Sequence, residues 1–203
     1  MLSRKKTAVF GYIKERLSDR LKGWNKKALS RGGKEILIKS AAQSLPNYSM
    51  SVFLLPVDTC NELEMAMSKF WWRNDSSKDK GIHWMCWSRL TDSKFNGGMG
   101  FRNLRDFNIA LLGNQAWRLL THPEKLVSRI FKARYYPSGK FLTAQLGSSP
   151  SYIWRSVLTT QSLVVQGISC CIGNGQDVEI LNCPWLPSIE DPFVHSNNEA
   201  IIN

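Results

Sequence analysis

The first 45 residues carry apolar side chains every three or four positions, which is the spacing of one face of an α-helix. Gly23 predicts the end of a first helix, and Pro46 predicts the end of a second helix that begins near Gly33. In the second helix the pattern places Lys34 and Lys39 on the outer face. The inward positions are Phe10, Ile13, Leu17 and Leu21 in the first helix, and Ile36, Leu37, Ala41 and Leu45 in the second.

Later segments repeat the helical spacing. Thr59 followed by Glu62 fits a capping box, which predicts the start of a third helix downstream of Pro56. A fourth helix is predicted to begin near Leu104, and Pro123 suits the first turn of a fifth. A sixth helix is predicted over residues 152–163.

Two segments break this period. Gly97 and Gly98 predict a tight turn, because glycine adopts positive φ without a steric penalty. The short apolar runs 168–172 and 178–181 flank the turn 173–176, which predicts a small β-hairpin. The predicted fold is therefore mainly α: a helical bundle over residues 1–75, an aromatic-rich helical segment ending in the hairpin over 76–187, and a loosely ordered tail over 188–203.

The positive charge of the chain is concentrated near its N-terminus. The formal net charge is +11. Residues 1–45 contain twelve Lys or Arg and three acidic residues, whereas residues 46–203 contain fifteen and thirteen. This asymmetry favours a polyanionic partner, with nucleic acid ahead of an anionic membrane surface.

Residues 20–34 form a basic block that has no carboxylate. Cations that flank an aromatic ring attract a phosphate backbone and give a base a surface for stacking. The alternative is a solvated helix face followed by a glycine turn. Trp24 could stack on a base or an arginine, or it could anchor the end of the first helix to the core. The predicted nucleic-acid-binding residues are Arg20, Lys22, Trp24, Lys26, Lys27, Arg31, Lys34 and Lys39.

Catalytic and metal-binding patterns are sparse. No phosphate-binding G-x-x-x-x-G-K-[ST] loop, G-x-S-x-G elbow or adjacent pair of aspartates occurs, so we predict no catalytic residue, metal or cofactor in this chain. An intact small enzyme remains a third class of interpretation, which would need a metal or cofactor site. Zinc is disfavoured, because the spacing of its candidate ligands matches no familiar zinc module. Those ligands are Cys170, Cys171, Cys183 and His195.

The sequence shows no secretory signal, and Pro56 interrupts its longest apolar run, Val52–Val57. We therefore predict an intracellular protein of the nucleus or cytoplasm that has no membrane partner. No pattern indicates an oligomeric state.

An ordered series of phrases resembles the reverse transcriptases of plant LINE-type (non-LTR) retroelements, in the region between the polymerase palm and the zinc-binding and ribonuclease-H-like segments. The resemblance covers about residues 8–187. The phrases are Gly23-Trp24, Leu29-Ser30-Arg31-Gly32-Gly33, Leu45-Pro46-Asn47-Tyr48-Ser49-Met50-Ser51, Phe70-Trp71-Trp72, Ile82-His83-Trp84 with Trp87, Lys94 with Gly97-Gly98-Met99-Gly100-Phe101-Arg102, Phe107-Asn108-Ile109-Ala110-Leu111-Leu112, Gln115-Ala116-Trp117-Arg118-Leu119-Leu120, Tyr152-Ile153-Trp154-Arg155-Ser156 and Ile172-Gly173-Asn174-Gly175.

The resemblance implies a thumb-like helical bundle that grips a template–primer duplex, followed by a connection segment. Lys34 stands where the family usually has arginine, so the bidentate fork is absent there. The resemblance also implies that the catalytic Ala-Asp-Asp motif would precede Met1 and that the zinc-binding segment would follow Asn203. We therefore expect a non-catalytic reverse transcriptase fragment that binds an RNA–DNA hybrid or duplex. The alternative is a decayed retroelement remnant with no specific biochemical function.

Overall fold

The computed structural model describes residues 9–73 and 82–169, together with Leu186 and Val194. These two ranges are mainly helical and contain no β-strand, which confirms the mainly α class. The predicted hairpin lies outside the described residues except for its first two positions, 168 and 169, and the predicted tail lies outside them except for Val194. The helices are α1 (Gly11–Trp24), α2 (Arg31–Leu37), α3 (Asn47–Met50), α4 (Val57–Trp72), α5 (Trp87–Thr91), α6 (Leu104–Thr121), α7 (Leu126–Tyr135), α8 (Tyr152–Leu158) and α9 (Gln161–Gly167), with a π-helical turn at Ile38–Ala42 and 3-10 turns at Lys94–Asn96 and Phe141–Thr143.

The buried apolar side chains form two clusters, and α6 contributes to both. Leu104, in the first turn of α6, packs in the cluster built by α1, α2 and α4. Leu112 and Leu119 pack in the second cluster, which surrounds the fully buried Trp154. Since α6 is one continuous helix, it joins the two clusters rigidly. The predicted domain boundary at residue 75 falls outside the described residues, and the first cluster includes residues as late as Leu104.

Helices α1 and α4 run parallel. Near their beginnings Lys14 pairs with Glu62, and at their ends the ring centroids of Trp24 and Phe70 lie 5.8 Å apart. The C-terminal ends of both helices therefore lie at the same end of the molecule. The last carbonyls of a helix carry partial negative charge, so two such ends side by side favour nearby cations.

Three helix boundaries differ from the predicted ones. The capping box was wrong: α4 begins at Val57, and the Thr59 hydroxyl is buried inside its first turn without a hydrogen-bond partner. Helix α7 begins at Leu126 instead of Pro123, because a turn closed by the bond from the Lys125 amide to the His122 carbonyl comes first.

The single helix predicted over 152–163 is instead the pair α8 and α9. At the break the hydroxyls of Thr159 and Thr160 donate to the carbonyls of Arg155 and Val157. Such bonds compete with the main-chain ladder of a helix.

The inner face of α2 also differs from the prediction. Ile36 is 65% exposed, whereas Lys34, Ile38 and Ala42 are buried. Each of these positions is four residues after the one before it. The π-helical turn after Leu37 changes which side chains face the core. The predicted inward position of Ile36 and the predicted outward position of Lys34 were therefore both wrong.

The glycine turn after α5 is confirmed. Gly97 has a φ of 79°, which an L-residue with a side chain rarely adopts. Gly98 is required for another reason: a Cβ atom there would lie 2.1 Å from the Asp92 carbonyl oxygen.

Asn108 holds the connection between α3 and α4 in place. Its side chain is fully buried; its amide nitrogen donates to the carbonyls of Met50 (2.7 Å) and Phe53 (2.9 Å). Its oxygen accepts a bond of 2.8 Å from the Leu55 amide. One side chain of α6 thus satisfies three main-chain groups at and after the end of α3.

Candidate nucleic-acid interface

The eight residues predicted to bind nucleic acid do not share one surface. Some have side chains that contact the last turn of α4, others lie at the exposed end of α1, and one belongs to an ion-paired cluster near α5.

Trp24 contacts the core. Its side chain is half-buried in the first cluster and packs against Phe70. A buried indole contributes a large apolar area. Of the two interpretations left open by the sequence, this geometry corresponds to the anchor at the end of α1.

Arg31 binds the end of α4. Its Nη1 donates to the Trp71 carbonyl at 2.7 Å, and its guanidinium carbon lies 5.4 Å and 5.5 Å from the ring centroids of Trp71 and Trp72. A cation at this position satisfies a carbonyl that the helix itself leaves without a donor.

Lys34 acts on the same helix end. It is only 4% exposed, and its Nζ donates to the Arg73 carbonyl at 2.6 Å while lying 5.9 Å from the Phe70 ring centroid. Arg31 and Lys34 therefore both cap α4 from α2. These contacts stabilise the fold and turn part of the basic block inward.

Lys39 belongs to a cluster around Glu35. Glu35 accepts bonds from the Nζ atoms of Lys39 (2.9 Å) and Lys94 (2.7 Å). Hydrogen bonds from these two ammonium groups lower the pKa of Glu35 below its usual range. The carboxylate therefore offsets part of the positive charge of Lys39.

Four predicted residues remain at the surface of the α1 end. Lys26 and Lys27 are exposed in the turn after α1 and have no hydrogen-bond or ion-pair partner among the described side chains. Lys22 lies 3.4 Å from Asp19, but both side chains are at least 70% exposed, and such a pair contributes little. Arg20 is exposed two residues from Lys22, so the two side chains point about 200° apart around the helix.

Helix α4 adds two cations that the sequence argument missed. Lys69 and Arg73 have exposed side chains on the last turn of α4 and just after it, at the helix end where Trp24 contacts Phe70. We call the resulting surface the basic end; it consists of Lys22, Lys26, Lys27, Lys69 and Arg73.

The sequence argument also missed a second basic surface, which we call the α7 surface. Residues 117–140 contain six Lys or Arg and one acidic residue, Glu124. The charge count over residues 46–203 concealed this concentration, and a count over a shorter window would have found it. The exposed cations that define the α7 surface are Arg118, Lys125, Arg129, Lys132 and Arg134.

Within residues 9–73 and 82–169, no three His, Cys, Asp or Glu side chains are arranged to hold a metal ion. The zinc ligands considered from the sequence, Cys170, Cys171, Cys183 and His195, lie outside the described residues. In the same two ranges, no helix has both the length and the apolar character that crossing a bilayer requires.

Comparison with known proteins gave two Arabidopsis thaliana relatives. An uncharacterized mitochondrial protein is 38% identical over 144 residues, which cover 70% of this chain and 93% of that protein. A second protein, named provisionally as a ribonuclease H protein, is 32% identical over 183 residues, which cover 88% of this chain and 29% of that protein. This chain thus spans less than a third of the second relative. No family model and no solved structure matches this chain.

Proposed function

This chain belongs to a family of retroelement-like plant proteins that includes both of these Arabidopsis relatives, and from that premise we propose that it is a non-catalytic, nucleic-acid-binding part of a retroelement reverse transcriptase. Its ligand is the sugar–phosphate backbone of an RNA–DNA hybrid or duplex. The ordered phrases of the sequence support the reverse transcriptase assignment.

One observation supports this function most directly: four of the five cations of the basic end are exposed without an ion pair to any acid that the structure describes. Lys26, Lys27, Lys69 and Arg73 have no ion-pair partner in the described part of the chain. Parallel α1 and α4 bring together cations that lie more than 40 residues apart in sequence. A patch of this kind attracts phosphate groups and releases their counterions.

The binding residues assigned by this proposal are fewer than those predicted from the sequence. Arg31 and Lys34 bind carbonyls of α4, and Trp24 packs on Phe70, so their primary role is structural. The basic end supplies up to five phosphate contacts. The logarithm of the binding constant should therefore fall with the logarithm of salt concentration with a slope of up to about −4.5.

The test is a titration of the full chain with an RNA–DNA hybrid at several salt concentrations. We expect the double variant Lys26→Gln/Lys27→Gln to reduce the magnitude of the salt slope by about two, because each lost phosphate contact removes about 0.9. The matched control is Lys125→Gln/Lys132→Gln, which makes the same charge change on the α7 surface and should leave the slope within about 0.5 of the original value.

Equal losses in the two double variants would show that binding follows net charge alone and would overturn the assigned surface. Binding that does not weaken with salt would overturn the phosphate contact itself. A non-cooperative thermal transition, with equal affinity for heparin and for the hybrid, would instead support the decayed remnant.

A further inference from the structure

Two arginines enter a cleft that neither the basic end nor the α7 surface includes. The cleft has a volume of about 320 Å³ and lies between residues 54–57, α6 and α8. Arg105 reaches it from α6 and Arg155 from α8. It lies at the beginning of α4, about 24 Å from the basic end, because each of the 16 residues of α4 advances the helix by about 1.5 Å.

Hydrogen bonds hold the walls of this cleft. The Tyr152 hydroxyl donates to the Leu54 carbonyl, and the Ser156 hydroxyl accepts a bond of 2.9 Å from the Leu54 amide. Arg105 Nη1 donates to the Leu55 carbonyl at 2.9 Å, which fixes the position of its guanidinium. The cleft is therefore preformed, with one arginine already oriented.

Among residues 9–73 and 82–169, no carboxylate forms an ion pair with either arginine of the cleft. Arg155 is exposed, and its guanidinium forms no hydrogen bond or ion pair with the described residues. No described carboxylate forms an ion pair with Arg105 either. Burial raises the pKa of Tyr152, and the positive charges of both arginines oppose that rise, so the two guanidinium groups act on the same hydroxyl.

We propose that this cleft binds one phosphate group, with Arg155 as the principal ligand and Arg105 as the second. The planar guanidinium fork matches two oxygens of a phosphate, and two forks from different helices select an oxyanion over chloride. Pro56 and Val57 also line the cleft, and α4 begins there without a side-chain cap. Asp58 lies in the same turn, and its carboxylate offsets the partial positive charge of that helix end. The two arginines, and not the helix end, therefore provide the site.

The experiment is a titration of the ¹⁵N-labelled full chain with inorganic phosphate, at constant ionic strength maintained with sodium chloride. We expect saturable shifts of the amides of Leu54, Leu55, Val57 and Thr159. Arg155→Gln should weaken phosphate binding at least about tenfold, because it removes a charge-assisted, bidentate contact. Arg155→Lys keeps the charge without the fork and should give an intermediate loss.

The control is Arg118→Gln, which removes an exposed cation from the same helix as Arg105 and should leave phosphate binding unchanged. Shifts that do not saturate, or equal binding by Arg155→Gln and Arg118→Gln, would overturn the site. This inference does not rest on the proposed function: Lys26→Gln/Lys27→Gln should leave the phosphate titration unaltered even if it abolishes binding of the hybrid.

A second arm identifies the source of the phosphate. A short oligonucleotide with a 5′-phosphate is compared with the same oligonucleotide without it. Stronger shifts of the cleft amides with the phosphorylated strand would assign the site to nucleic-acid ends. Shifts with inorganic phosphate alone would assign it to a free anion, and both results support an oxyanion site.

Discussion

Lys34 distinguishes a structural role for the basic block from a role in binding. The substitution Lys34→Met removes the ammonium that donates to the Arg73 carbonyl and keeps an unbranched stem near Phe70. A hydrogen bond to a charged group contributes about 1.5–3 kcal/mol. For Lys34 we take this figure to contain the attraction between its ammonium and the partial negative charge at the end of α4. We therefore expect the free energy of unfolding to fall by about 2 kcal/mol, and Tm to fall by about 4–8 °C.

The assay combines urea and thermal unfolding, followed by circular dichroism, with hybrid binding measured well below Tm. Lys34→Met should be less stable but should bind the hybrid with less than about a twofold change and the same salt slope. Lys26→Met is the control, because Lys26 is exposed and without a described partner. It should keep the stability of the original protein but should bind the hybrid with a salt slope reduced by about one. Unchanged stability of Lys34→Met, together with a salt slope reduced by about one, would refute the capping role.

Three further predictions concern buried or paired groups. Asn108→Ala leaves three main-chain groups of the α3–α4 connection without partners and should lower the free energy of unfolding by about 3–4 kcal/mol in urea titrations, whereas a loss below about 1 kcal/mol would contradict the three bonds. Lys39 and Lys94 lower the pKa of Glu35, so its carboxylate stabilises the fold at pH values above the usual glutamate pKa and loses that effect as pH falls through the lowered pKa. Glu35→Gln should therefore be about 0.5–1 kcal/mol less stable than the original protein at pH 7, and this difference should shrink in acid as the carboxylate is protonated. Burial raises the pKa of Cys60 to about 11, whereas a hydrogen bond with Ser88 lowers that of the exposed Cys86, so iodoacetamide at pH 8 should label Cys86 about a hundredfold faster in peptide mass spectra, and comparable rates would contradict the burial of Cys60.

Periodicity was sufficient wherever a helix packs through an apolar stripe. The stripe of Ile13, Leu17 and Leu21 in α1 is buried as predicted. Local spacing determines these positions because an α-helix repeats every 3.6 residues, so the apolar side chains must share one face. The helical class and the Gly97 turn follow from the same local rules.

Local rules were insufficient where a distant group decides the contact. Thr59 satisfied a capping pattern, but Pro56 had already preset the backbone from which α4 begins. Ile36 was predicted to be buried, but the π-helical turn and the capping of α4 by Lys34 place the inner face of α2 elsewhere.

The sequence by itself determined that this chain forms amphipathic helices and that its early residues carry a large excess of positive charge. Only the tertiary structure decided which cations face solvent. Arg31 and Lys34 contact carbonyls about 40 residues away, while Lys69 and Arg73 join a surface with residues near Trp24. The physical reason is that the last carbonyls of a helix lack intrahelical donors and carry partial negative charge, so the cations of α2 that pack beside the end of α4 turn inward to those carbonyls.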